Sequence, residues 1–179
     1  MKVKIGLSGL PGSGKTTTIL RIIPMLKEEG FSVGGVVTEE IREKGRRVGF
    51  YIKDIVTGEK KVMAHVDFRT RVRVGKYYVD TKVVDDLGTR ALMYALENCD
   101  VIVIDEIGKM EMGSKKFMEA VREVLDSDKW VILTMHKKSR TPLLQEIRRR
   151  DDMRILEVTP INRNLLPFRV ISLIKGEIR

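Results

Sequence analysis

The chain has 179 residues, of which 42% are hydrophobic and 33% are charged. This length and balance predict a single globular domain over residues 1–179 that buries roughly two thirds of the surface of its unfolded chain. No apolar run approaches the roughly 20 residues of a membrane-spanning helix, and the first residues have the pattern of a strand rather than a signal peptide, so we expect a cytoplasmic protein without membrane contact. Cys99 is the only cysteine, which excludes an internal disulfide and a cysteine-rich metal site and favours a buried thiol.

The charge balance raises the question of nucleic acid. The formal net charge is +9, and Arg69, Arg71 and Arg73 alternate with uncharged residues, which in a strand would place three guanidinium groups on one face. Basic residues are also spread along the whole chain, and no RNA-binding aromatic signature is present. A solvated basic face is therefore favoured, and nucleic acid is a secondary hypothesis for a partner.

Short apolar runs alternate with helical patterns along the chain, which predicts an α/β fold with a mainly parallel sheet flanked by helices. The first half begins with a strand at 3–7, a helix that ends at Gly30 and a strand at 32–39. Residues 46–67 have the pattern of an antiparallel hairpin that turns at Thr57 and Gly58, inserted into the parallel order.

The second half continues the alternation. Ser114 is the expected N-cap of one helix and Asn164 of the last, because Pro167 then falls in a first turn where no intrahelical donor is lost. Helices are predicted at 85–97, from 115 onward, at 142–150 and after 164, and strands at 101–104, 130–134 and 153–158.

The most specific motif is GLPGSGKT at residues 9–16, which matches G-x-x-x-x-G-K-S/T between a strand and a helix. In such a loop backbone amides converge on a phosphate, and the positive end of the following helix adds to the attraction. Lys15 reaches the β- and γ-phosphates, while the Thr16 hydroxyl ligates Mg²⁺. The predicted nucleotide-binding residues of this segment are Gly9, Leu10, Pro11, Gly12, Ser13, Gly14, Lys15, Thr16 and Thr17.

A second motif follows the apolar run VIVI at 101–104. This run delivers Asp105 to the carboxyl end of a buried parallel strand, where ligands bind in open α/β sheets, so Asp105 is the expected second metal residue besides Thr16. Adjacent strand residues point to opposite sides, so Glu106 is predicted to be free of the metal and to orient an attacking water. Asp105 and Glu106 are both expected at the nucleotide.

Six segments then carry a family resemblance. In order they are GLPGSGKTT, TEEIR (38–42), RVGF (47–50), VGKYYVD (74–80), DEIGKME (105–111) and TPINR (159–163). Over essentially its whole length the chain resembles the small P-loop nucleoside-triphosphatase family that includes the human cancer-related nucleoside-triphosphatase and its thermophilic relatives. The resemblance implies a RecA-like fold and magnesium-dependent hydrolysis of ATP, GTP, CTP and UTP with little base selectivity.

The resemblance also implies further site residues. Asn162 and Arg163 match the last motif and are expected at the nucleotide, whereas Ile161 replaces its polar third residue. Relatives also have threonine at the position of Thr134, which makes it a candidate sensor of the γ-phosphate. His136 stands where proline is expected and is interpreted as a surface-loop histidine.

Gly108 and Lys109 follow the two acids. Gly108 is expected at the nucleotide, and Lys109 either approaches the γ-phosphate as a catalytic cation or pairs with Glu111 and holds the loop. Arg42, Lys109 and Arg163 are the candidates to reach the phosphates.

Three functions remain open at this point. The leading hypothesis is a nucleoside-triphosphate hydrolase in which Lys15 and Glu106 are catalytic. The first rival is a nucleotide or small-molecule kinase with Arg148, Arg149 and Arg150 as a lid, although a solvated helix end is favoured for these arginines. A nucleic-acid-responsive ATPase is the third, and no protein partner is indicated.

Overall fold

Within residues 2–178, which the computed structural model describes, nine strands form one mixed sheet. The strand order across the sheet is β5-β6-β4-β3-β2-β7-β8-β1-β9. The strands are β1 (Lys4–Gly9), β2 (Val33–Glu43), β3 (Arg46–Asp54), β4 (Lys60–His65), β5 (Val72–Val74), β6 (Tyr77–Val79), β7 (Val101–Ile107), β8 (Trp130–His136) and β9 (Met153–Glu157).

Helices cover both faces of this sheet. They are α1 (Lys15–Glu28), α2 (Thr81–Val83), α3 (Thr89–Asn98), α4 (Lys115–Asp126), α5 (Pro142–Arg148) and α6 (Leu166–Ile174). A π-helical turn (Val84–Gly88) joins α2 to α3, and a 3₁₀ turn (Glu111–Gly113) precedes α4. In the described part of the chain no helix combines the length and the apolar character that crossing a membrane requires.

The parallel half of the sheet contains β2, β7, β8, β1 and β9 and confirms the predicted α/β class. The apolar residues of β7 are wholly buried because helices pack against both faces, as expected for a central parallel strand. One core lies under α3, α4 and α5, with Leu92, Phe117 and Leu144 among its residues. The other lies under α1 and α6, with Ile19 and Val170 among its residues.

The antiparallel half contains the hairpin of β3 and β4, which turns through Thr57 and Gly58. It is longer than the predicted insertion 46–67, because β5 and β6 continue the sheet to residue 79 and β2 itself extends to Glu43 to pair with β3. The two extra strands have three residues each, which is too short for an alternating pattern to identify a strand.

The predicted helix starts had different outcomes. Ser114 caps α4, where its hydroxyl accepts a hydrogen bond from the Phe117 amide at 3.1 Å. The prediction for Asn164 is wrong: the backbone carbonyl of Asn162 accepts from the amides of Leu165 and Leu166, so a turn leads into α6 and Leu165 takes the N-cap position. Pro167 lies in the first turn as expected.

Two further predictions concern a cysteine and three arginines. Cys99 is buried as expected, and this burial raises the pKa of its thiol. Arg69, Arg71 and Arg73 are exposed as expected, but they do not share one strand face, because β5 begins only at Val72 and leaves Arg69 and Arg71 outside the strand. Arg69 and Arg73 instead lie over the ring of Tyr78, at 5.2 and 5.5 Å from its centroid.

Candidate active site

The loop between β1 and α1 has the backbone of a phosphate cradle. Gly12 and Gly14 have φ angles of 78° and 104°, in the left-handed region that favours glycine. A side chain on Gly9 would overlap the hydroxyl of Ser13, so this position also requires a missing Cβ. Helix α1 begins at Lys15, directly after the loop, and its free amides therefore lie at the loop.

Lys15 is held inside this loop. Its ammonium donates hydrogen bonds to the carbonyls of Gly9 at 2.9 Å and Leu10 at 3.3 Å, and the residue is only 8% exposed. The same nitrogen lies 3.9 Å from Oε2 of Glu106. The cation predicted to bind phosphate is therefore fixed between the loop and the end of β7.

Asp105 lies on the other side of the loop and is 1% exposed. Its Oδ1 accepts hydrogen bonds from Thr134 at 2.6 Å and from Thr16 at 3.4 Å. Burial raises the pKa of Asp105 to about 6 and the charge of Glu106 adds to the rise, while the two threonine hydrogen bonds and Lys15 act against it. Thr134 is itself buried, and its hydrogen bond orients the Asp105 carboxylate.

The atoms around Asp105 fit a magnesium ion. Among the described residues, Oδ2 of Asp105 is buried and has no hydrogen-bond partner, whereas its Oδ1 is beside the Thr16 hydroxyl. Mg²⁺ prefers oxygen ligands and is usually held by one or two carboxylates together with substrate phosphates and waters. One carboxylate and one hydroxyl next to a phosphate loop supply the protein part of such a set.

Glu106 faces the same loop as Asp105, so the expected alternation of sides does not hold here. The register between β7 and β8 shifts between Ile104 and Ile107, which releases the two acids from the regular pleat. Burial raises the pKa of Glu106, and the ammonium of Lys15 acts against this rise. The side chain of Glu106 keeps 38% of its surface exposed, so a nucleophilic water can reach its carboxylate.

The turn after β7 is held by Glu111 and not by an ion pair. The Glu111 carboxylate is 5% exposed and accepts a hydrogen bond from the Gly108 amide at 3.0 Å. Burial raises its pKa to about 8, and the charges of Glu106 and Asp105 add to the rise. In this part of the described chain Lys109 makes no ion pair with Glu111, so the proposed Lys109–Glu111 pair is wrong because Glu111 turns inward to the backbone.

A cleft of about 770 Å³, here called the loop cleft, separates the phosphate loop from the ends of β2 and β3. Arg47 lies on the far wall, where it donates to the Tyr77 hydroxyl at 2.9 Å and to Glu40 at 3.2 Å. Its guanidinium also lies 5.2 Å from the ring centroid of Phe50, a second residue of this wall. The loop-cleft residues that the sequence did not identify are Leu20, Thr38, Glu39, Glu40, Arg47, Phe50 and His136.

The arginines expected to reach the phosphates have separate positions. Arg163 lines the loop cleft, and its side chain packs over Gly14 so closely that a Cβ there would lie 2.9 Å from Arg163 Cδ. Arg42 is not among the residues that line the cleft; it pairs with Glu40 at 2.8 Å and donates to the carbonyl of Gly45 at 3.1 Å. The amide group of Asn162 accepts from the Thr159 amide and donates to the Glu157 carbonyl, so it holds the turn that carries Arg163.

A second cavity, here called the second chamber, opens beside the loop cleft and has a volume of about 460 Å³. The two share Thr38, Phe50, Glu106 and His136. The structure places Gly108 and Lys109 in the second chamber and not in the loop cleft.

His136 is the last residue of β8, paired in register with Gly9 of the phosphate loop, so its interpretation as a surface-loop histidine is wrong. Its ring nitrogen Nδ1 accepts from the Lys138 amide at 3.0 Å. Burial and the charges of nearby lysines, Lys15 foremost among them, lower the pKa of His136.

Two of the three arginines of the proposed kinase lid have structural partners. Arg148 donates to the carbonyls of His136 and Ser139 and holds the chain after β8. Arg150 pairs with Asp126 and Asp152 at 2.8 and 2.9 Å. Helix α5 ends at Arg148, two residues before the predicted end, and neither Arg148 nor Arg150 is among the described residues that line the loop cleft.

Comparison with known proteins points to a single family. Residues 4–171 match the family model described as NTPase. The chain is 40% identical to nucleoside-triphosphatase THEP1 of Thermoplasma volcanium over 177 residues, which cover 99% of each chain, and 42% identical to the THEP1 protein of Thermotoga maritima over 97% of this chain and 96% of the relative. Among solved structures it is similar to THEP1 of Aquifex aeolicus, with a TM-score of 0.85, 35% identity and coverage of 96% and 99% of the two chains. A human cancer-related nucleoside triphosphatase gives a TM-score of 0.83 with 34% identity, over 99% of this chain and 100% of the other.

Proposed function

The chain belongs to the nucleoside-triphosphatase family, and on that premise we propose that it hydrolyses ATP, GTP, CTP and UTP to the diphosphates with Mg²⁺ and with little base selectivity. One observation carries the proposal. The two consecutive carboxylates that end β7 converge on the phosphate loop, one beside the Thr16 hydroxyl and the other 3.9 Å from Lys15.

The phosphate loop binds the triphosphate. Backbone amides of the loop and the first turn of α1 surround the phosphates, and the Lys15 ammonium exchanges its loop carbonyls for phosphate oxygens. Thr16 and Asp105 hold Mg²⁺, which when bound neutralises charge on the phosphates. Thr134 keeps Asp105 oriented through the 2.6 Å hydrogen bond.

Glu106 acts on the nucleophile. Its carboxylate faces the loop, remains partly exposed and accepts a hydrogen bond from the attacking water, which fixes the water in line with the γ-phosphate. The nearby ammonium of Lys15 favours the ionised form of Glu106, which is the form that accepts the proton. Lys15 therefore acts on both the phosphates and the carboxylate that positions the water.

The wide, partly exposed far wall supports base tolerance. Arg47 and Glu40 of this wall pair with each other, and Arg163 lies above Gly14, so the described cleft offers charged and stacking surfaces common to every nucleotide. The side-chain amide of Asn162 forms hydrogen bonds with the backbone of Thr159 and Glu157 and is therefore not free to bind a base. Readout of a particular base requires hydrogen-bond groups held in fixed positions, whereas Glu40 and Arg47 of the far wall are about half exposed.

Hydrolysis assays with the four triphosphates test this function. Release of inorganic phosphate should require Mg²⁺, stop with EDTA, and give kcat/KM values within about tenfold of one another. Asp105→Asn should raise the Mg²⁺ concentration needed for half-maximal rate by about tenfold, because an amide holds the metal and its waters less strongly. No phosphate release from any triphosphate would contradict the proposal, and an unchanged Mg²⁺ requirement in Asp105→Asn would place the metal elsewhere.

A further inference from the structure

The size of the second chamber exceeds what a hydrolase needs at this position. A water molecule occupies about 30 Å³ of liquid, and one nucleophilic water beside Glu106 could be accommodated within the loop cleft itself. The second chamber adds about 460 Å³, and the same carboxylate lines it. Cavities of several hundred Å³ are typical of sites for small organic ligands.

The walls of the second chamber match an apolar molecular body. Phe50, Met63, Val74 and Met110 line it, contributed by β3, β4, β5 and the turn after β7. Methionine and aromatic side chains adapt to flat or irregular apolar ligands. Burial of an apolar group against such walls favours a ligand over water.

Two lysines of the second chamber favour an anionic group. Lys109 and Lys138 both line it, and within residues 2–178 neither has a carboxylate partner. Burial lowers the pKa of His136, which lines both cavities, and the charges of Lys15, Lys138 and Lys109 add to this effect. The acids that line the chamber are Glu106, which faces Lys15, and Glu111, which accepts from the Gly108 amide.

We propose that the second chamber binds a small alcohol with an apolar body and an anionic group, and that the hydroxyl of this ligand accepts the γ-phosphoryl group in place of water. The inference deepens the proposed function and rests on it, because both reactions use the same loop and the same Glu106. Water is the nucleophile when the chamber holds no alcohol. The chain then acts as a phosphotransferase towards the alcohol as well as a hydrolase.

The transfer step is balanced. The hydroxyl oxygen forms a bond to the γ-phosphorus while the bond from that phosphorus to the bridging oxygen breaks, and the nucleoside diphosphate leaves with that electron pair. The hydroxyl proton passes to the Glu106 carboxylate, which lines both cavities. The products are a phosphate monoester, a nucleoside diphosphate and one proton, so no further reactant is required.

A set of matched probes tests this inference. With ATP labelled at the γ-phosphate, Mg²⁺ and 4-(hydroxymethyl)benzoate, which carries its hydroxyl and carboxylate at opposite ends of a ring, we expect label in an organic phosphate as well as in inorganic phosphate. Benzyl alcohol, which lacks the carboxylate, should yield at least about tenfold less ester. 4-Methylbenzoate, which lacks the hydroxyl, should yield none and should inhibit ester formation from the first probe.

Variants of the second chamber locate the transfer. Val74→Phe fills part of it, and we expect ester formation to fall at least about tenfold while release of inorganic phosphate stays within about threefold. Lys138→Ala should lower ester formation from 4-(hydroxymethyl)benzoate by about tenfold. Lys137→Ala removes the neighbouring lysine, which pairs with Glu157, and should leave ester formation unchanged. Retained phosphate release shows that each variant is folded.

The outcomes separate this inference from the proposed function. Label in inorganic phosphate alone, with 4-(hydroxymethyl)benzoate at saturating concentration, would overturn the alcohol site and leave the hydrolase in place. If Val74→Phe and Lys138→Ala both form ester at the rate of the original chain, the assignment of the transfer to the second chamber is overturned. Intact ATP in every reaction would contradict the hydrolase and this inference together.

Discussion

The two walls of the loop cleft are built on different physical principles. On one wall Lys15 and Asp105 are buried and are held by backbone carbonyls and threonine hydroxyls. On the other wall Glu40 and Arg47 are about half exposed and pair with each other at 3.2 Å, with Arg42 and the Tyr77 hydroxyl as their further partners. Exposed ion pairs of this kind contribute about 0–1 kcal/mol, whereas buried groups with fixed partners do not rearrange without cost. The loop wall is therefore preorganised for phosphate, and the far wall adapts to what is attached to it.

Lys15→Ala is expected to give the largest effect on the loop wall. Turnover should fall by about 10³-fold or more, and triphosphate binding should weaken, because the ammonium offsets phosphate charge in both the ground state and the transition state. Phosphate release and nucleotide titration measure the two losses. Near-normal hydrolysis by a folded variant would remove the phosphate-loop assignment and with it the contrast between the walls.

Glu106→Gln tests the same wall without changing its shape. The amide accepts no proton and orients water less strongly, so single-turnover hydrolysis should slow by about 10² while affinity for Mg-ATP stays within a few-fold. Loss of rate with intact affinity assigns Glu106 to the chemical step. A variant that hydrolyses at the normal rate would show that another group positions the water.

The contrast between the walls also explains what the sequence could predict. The loop wall depends on near neighbours in the chain: residues 9–17 form one turn, and Asp105 and Glu106 end one apolar run. Sequence spacing therefore identified them, together with the parallel half of the sheet. The far wall depends on cross-strand register, in which Glu40 faces Phe50 and Arg42 faces Arg47. Motif order included these segments but did not show which arginine faces the cleft.

The same limit applies to the end of β7. Regular alternation predicted that Asp105 and Glu106 point to opposite sides, and a local register shift brings both to the loop. Whether Glu111 pairs with Lys109 or turns inward also depends on burial, which a surface-like pattern of charges does not reveal. His136 was missed for a related reason, since strand β8 continues two residues past its predicted end and aligns His136 with Gly9.

Arg47→Ala and Arg42→Ala sharpen the comparison on the far wall. Arg47 lines the loop cleft and Arg42 does not, although both pair with Glu40. We expect Arg47→Ala to raise KM for ATP by about three- to tenfold with a smaller change in kcat, and Arg42→Ala to leave both within about twofold. Steady-state measurement of kcat and KM for the two variants tests this difference between Arg47 and Arg42. A loss of kcat in Arg47→Ala as large as that of Glu106→Gln would make the far wall part of the chemistry.

Glu111→Gln is expected to have the smallest effect on turnover and a measurable effect on stability. Burial raises the pKa of Glu111 from 4.5 to about 8, so the folded protein keeps this carboxyl protonated between those values while the unfolded chain ionises it. The unfolded state then binds fewer protons, and the contribution of Glu111 to the free energy of unfolding falls as the pH rises from about 5 to about 8. Glutamine does not titrate, so the variant lacks this fall.

Urea unfolding at several pH values between 5 and 8 measures the difference. The free energy of unfolding of Glu111→Gln relative to that of the original chain should rise by at least about 1 kcal/mol over this range, since one pKa unit corresponds to about 1.4 kcal/mol. Glu119→Gln, at an exposed position of α4, is the matched control and should run parallel to the original chain. If the free energy of unfolding of Glu111→Gln also runs parallel to that of the original chain, Glu111 is ionised in the folded protein. The back of the loop wall would then carry three adjacent charges instead of a neutral carboxyl that accepts from Gly108.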